Sequence, residues 1–75
     1  MKYRLEGTTI EAIDAYVRIT ISGLCQEVTA KQLPSSGDIA AMLERMQGYP
    51  CNRAQLQACG RAADDARNNE IVLAL

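Results

Sequence analysis

Seventy-five residues with a formal net charge of −1 and no histidine predict one small domain, residues 1–75, whose stability margin is thin because so short a chain buries only about 60% of its unfolded surface. Hydrophobic residues make up 48% of the chain, but eleven of them are alanine and there is neither Phe nor Trp, so the core must come from Ile, Leu, Val and Met. Both halves are nearly neutral, with four basic against four acidic residues up to Pro34 and four against five beyond it, which excludes strong global steering toward nucleic acid or a membrane surface.

In chain order, Lys2 to Glu6 alternates, Tyr3 and Leu5 against Lys2, Arg4 and Glu6, and predicts a short strand over 2–6 that Gly7 ends. Thr8 followed by Glu11 has the spacing of a capping box. The apolar residues Ile10, Ile13, Val17, Ile21, Leu24 and Val28 then recur three or four apart, predicting one helix over about 9–31. A strand competes there, because Val17, Ile19 and Ile21 also alternate with Arg18, Thr20 and Ser22 and are β-branched. No Gly, Pro, Asn or Asp separates Ala15 from Val17, and the helix is preferred on that ground.

Leu33-Pro34 stops the first helix. Ser35 with Asp38 opens a second over about 36–47, whose stripe is Ile39, Met42, Leu43 and Met46 and which Gly48 and Pro50 terminate. Asn52 with Gln55 caps a third over about 53–67, with a small inward face of Leu56, Cys59, Ala63 and Ala66. Asn68-Asn69 reads as a turn, and Ile71 to Leu75 as a closing strand over about 70–75. The expected fold is therefore mainly α, three helices with short terminal strands, a small helical protein.

The chemistry is sparse. There is no GxSxG, no phosphate-binding loop and no set of ligands spaced for a metal, so no enzyme, cofactor or metal site is expected, and no small-molecule substrate is evident. Asp64 and Asp65, adjacent on a helix, point about 100° apart and do not converge on one atom. Cys25, Cys51 and Cys59 are odd in number and lack C-x-x-C spacing; they read as reduced, small core residues of a cytoplasmic protein. Cys51 alone lies near a helix amino end, where a dipole could lower a thiol pKa, but no partner base accompanies it. No apolar run approaches the ~20 residues of a membrane span, and Met1-Lys2-Tyr3-Arg4 is not the start of a signal peptide.

Two surfaces follow from this reading. On the first helix, Ala12, Tyr16, Ile19 and Gly23 make a second apolar face beside the core stripe, an interface candidate for a protein partner or for a second copy in a homo-oligomer; the terminal strands covering that face within one chain is the plainer alternative. The other surface rests on Leu33-Pro34-Ser35 followed by Asp38-Ile39-Ala40 and Met42-Leu43. This segment resembles the lead-in to the helix-turn-helix of GntR-type winged-helix regulators. The resemblance implies that the helix after Asn52 reads the major groove, with Arg53, Gln55 and Gln57 as DNA contacts. The leading expectation is a small non-enzymatic protein that binds itself or a protein target, with the profile of compact bacterial or phage accessory proteins; a DNA-binding regulator is the alternative.

Overall fold

The computed structural model describes residues 1–29 and 35–74. Four strands, β1 (Lys2–Leu5), β2 (Thr8–Ile13), β3 (Tyr16–Ile21) and β4 (Leu24–Thr29), precede two helices, α1 (Ser36–Gln47) and α2 (Arg53–Ala74). The strands form one antiparallel sheet in the order β1-β2-β3-β4. This is a mixed α/β fold, and it overturns the mainly α expectation.

The helix expected over 9–31 is replaced over 9–29 by three strands and two tight turns, residues 30 and 31 lying outside the described ones, and the physical reason lies in those turns. Register places Leu5 opposite Thr8, Ile13 opposite Tyr16 and Ile21 opposite Leu24, so each connection is two residues long: Glu6-Gly7, Asp14-Ala15 and Ser22-Gly23. Ser22 and Gly23 both have positive φ, +48° and +83°, the pattern of the hairpin turn whose twist matches that of its strands. Asp14 adopts φ +50°, a conformation that a short polar side chain tolerates. The breaker between Ile13 and Tyr16 is thus Asp14, on the amino side of Ala15.

With those turns in place, the three-to-four spacing of the first half is a by-product of alternation. Ile10, Val17 and Ile21 point to the helix-covered face, whereas Ile13 points to the opposite one. Thr8 pairs with Leu5 and Ile21 in the sheet, so the Thr8–Glu11 spacing caps nothing.

The second half agrees more closely. Helix α1 has the expected bounds; Ser35 Oγ accepts a hydrogen bond from the Asp38 amide (3.2 Å), and Gly48, at φ +85°, closes the helix through its amide to the Glu44 carbonyl. Helix α2 begins where Asn52 and Gln55 cap it reciprocally, Gln55 N to Asn52 Oδ1 at 2.8 Å and Asn52 N to Gln55 Oε1 at 3.0 Å. It then continues through the expected terminal strand to Ala74. Asn69 does not break it; its side-chain amide instead donates to the Asp14 carbonyl in the β2–β3 turn (2.7 Å). Leu33-Pro34 and Leu75, which entered the reading of helix ends and strand, lie outside the described residues.

The core sits between one face of the sheet and the helices. Ile10, Ala12, Val17 and Ile19 pack with Ile39, Ala40 and Leu43 of α1 and with Ala58, Cys59, Ala62, Ala63 and Ala66 of α2. Alanine along α2 lets its backbone lie close to the sheet, at the expense of apolar area buried per turn. Leu56, expected on this face, is half exposed.

Candidate functional site

Antiparallel strands alternate between residues that exchange both backbone hydrogen bonds and residues that exchange none. In the β1–β2 ladder the phase is set by the Ala12 amide, which donates to the Met1 carbonyl at 3.0 Å. With the register Lys2–Glu11, Tyr3–Ile10, Arg4–Thr9 and Leu5–Thr8, Tyr3 and Leu5 bond inward to β2. The N–H and C=O groups of Lys2 and Arg4 therefore point away from the sheet.

Those groups open into a groove of about 340 Å³ lined by Lys2, Tyr3, Arg4, Leu5, Ala54, Gln57, Ala58 and Arg61. One wall is the edge of β1, which no strand among the described residues pairs, and the other is the amino-terminal half of α2, where Ala54 and Ala58, one helical turn apart, leave space between strand and helix. Tyr3 bridges the two walls: its hydroxyl donates to Asp65 Oδ2 at 2.6 Å. That hydrogen bond, helped by burial and by the charge of the carboxylate, raises the Tyr3 pKa and keeps the phenol neutral. Asp65 is thereby a tether for β1, while Asp64 is exposed; the two carboxylates share no site.

Charge at the groove is one-sided. Lys2, Arg4 and Arg61 line it and no carboxylate does. Lys2 has a loose ion pair with Glu11 (3.8 Å), and Arg18 a tight one with Glu27 (2.8 Å); neither Arg4 nor Arg61 has an ion pair among the described residues.

The residues expected to form a site from sequence are scattered. Ile19 is fully buried in the core and Ala12 is buried beside it, Tyr16 is half-buried on the opposite face of the sheet, and Gly23 is exposed in the β3–β4 turn. The helix that would have aligned them is absent. Of the DNA-contact candidates, Arg53 and Gln57 are exposed on α2, with Gln57 on the groove wall. Gln55 is buried: its side chain caps α2 and pairs with the Gln47 amide at 2.9 and 3.3 Å. Sequence reasoning found the strand at β1 but missed its open edge, because edge status depends on which strands pair, and the closing strand expected over about 70–75 is, as far as Ala74, part of α2.

The thiols also differ from expectation. Cys25 is exposed, Cys51 is half-buried and only Cys59 is a full core residue; all three are free. Burial pushes the Cys59 thiol up to about 12, with Cys51 and Glu44 acting in the same direction. Cys51 is raised as well, by burial and then by Glu44, whose carboxylate accepts from the Cys51 amide at 2.8 Å. This is the opposite of the shift that activates a nucleophile. Among the described residues no three Cys, Asp or Glu side chains gather to hold a metal ion, and no helix is long and apolar enough to cross a membrane.

Comparison with family models, with curated proteins and with solved structures returns no match to this chain.

Proposed function

We propose that this chain is a non-catalytic protein-binding module that takes up an extended segment of a partner as a fifth strand on the free edge of β1. The observation that carries this reading is the phase of the β1–β2 ladder, which aims the backbone donors and acceptors of Lys2 and Arg4 into a groove backed by α2. Strand addition of this kind draws affinity from main-chain hydrogen bonds and selectivity from alternate side chains, which enter the space between strand and helix. Its location on β1 and α2 replaces the helix-mediated interface expected from sequence.

A displayed random-peptide library selected on the immobilised protein tests the reading. Arg4→Pro removes one outward N–H without touching a β1–β2 hydrogen bond, a position where edge strands accept proline, and Ala54→Phe fills the groove from the exposed side of α2. Peptides enriched on the wild type should be lost on both variants while circular dichroism stays native-like. Peptides retained equally by both variants would place binding elsewhere.

A further inference from the structure

Resting on the strand-addition reading, the charge pattern beside β1 specifies what the added strand should carry. On the face of the sheet away from the helices, one cross-strand row runs Lys2, Glu11, Arg18, Glu27 in register and alternates in sign. The adjacent row runs from Arg4 through the uncharged Thr9 and Thr20. Both rows thus reach the edge on a cation, and the next position outward belongs to the incoming strand. Residues directly opposite on antiparallel strands stabilise the pair when their charges are opposite and destabilise it when they are alike.

This rule also discriminates between occupants. A second copy pairing antiparallel through β1, with Tyr3 on the two-fold axis, sets Lys2 against Arg4 of the copy twice over, so the edge repels itself. A cationic edge is a familiar guard against such self-pairing. An acidic strand meets no such penalty and extends the alternation of the Lys2 row by one step.

We propose that the β1 edge selects an extended acidic protein segment with carboxylates at alternating positions, i and i+2, one beside Lys2 and one beside Arg4, and with an apolar residue between them turned toward Ala54 and Ala58. Arg61 adds a third cation from the α2 wall and disfavours a basic residue at that inner position.

Three blocked hexapeptides, Thr-Glu-Val-Glu-Val-Thr and its counterparts with Gln or Lys for Glu, are titrated into ¹⁵N-labelled protein while the Lys2 and Arg4 amides are followed. The Glu peptide should shift both amides and bind about fivefold tighter than the Gln peptide, the Lys peptide should bind weakest, and Arg4→Gln should narrow the Glu-to-Gln ratio. Equal affinity for the Glu and Gln peptides would overturn the acidic preference while strand addition stands. Failure of all three peptides to move β1 would overturn both. Equal competition by a short oligothymidylate would overturn the protein segment in favour of any polyanion, and β1 amides protected in a dimer without peptide would overturn it in favour of a second copy.

Discussion

The turn between α1 and α2 and the sheet are held by different chemistry. At the helical turn, the side chains of Glu44, Gln47, Asn52 and Gln55 bond backbone groups that no helix can satisfy for itself, and Gln47 and Gln55 also pair with each other. In the sheet, β2 and β3 present buried pairs such as Ile10–Ile19 and Ala12–Val17 to the helices, and two-residue turns set the register. The first region is specified by a few directional contacts that act locally. The second depends on non-directional burial, which exists only once distant segments have met.

That contrast predicts a graded series of effects. Ile19→Ala, which hollows the centre of the sheet, should cost about 3–4 kcal/mol and bring so small a domain near its unfolding midpoint in a urea titration followed by circular dichroism. Gln55→Ala removes a cap and the Gln47 pair together and should cost about 2 kcal/mol, with Gln55→Glu recovering part of it, since a carboxylate can still accept from the Asn52 amide.

Alkali probes the packing between the two regions through Cys59. Its thiol is raised from an ordinary 9.0 to about 12, so the folded state holds its proton more tightly than the unfolded chain. Stability from this group is complete below pH 9 and is lost progressively as pH rises toward 12; Cys59→Ala should flatten that part of the pH profile. Tyr3, also raised, adds a loss above its ordinary 10.0.

Two glycines supply the smallest and most diagnostic pair. Gly23→Ala forces a side chain into φ +83° and should destabilise by about 1 kcal/mol. Gly60 lies within α2, where an added Cβ would meet only the Ser36 side chain at 3.8 Å, so Gly60→Ala should stabilise by about 0.5–1 kcal/mol. Thiol labelling gives an independent check of the topology. Cys25 should react fastest, Cys51 more slowly, and Cys59 only through global opening.

The helical turn was legible in the sequence because its signals are local. Asn52–Gln55, Ser35–Asp38 and Gly48 act within four residues, and the structure uses them as their spacing implies. The first half was not, because Thr8–Glu11 copies the same spacing and because two alternating strands joined by a two-residue turn reproduce a helical period. Asp14 and Ser22-Gly23 are the discriminating residues, and the first of these turns begins before Ala15, not after it. The end of α2 illustrates the converse. Ile71 to Leu73 favours a strand by residue type, yet a strand needs a partner, and the segment joins no sheet and continues α2 instead. The groove itself is a product of that pairing pattern and has no signature of its own along the chain.

The hydrogen bond from Asn69 to the Asp14 carbonyl couples a loop tip to the far portion of a 22-residue helix. Exchange of amide hydrogens around the β2–β3 turn and along the last turns of α2 should therefore share one opening free energy, and Asn69→Ala should split that common rate into two, accelerating both segments while the α1–α2 turn retains its protection.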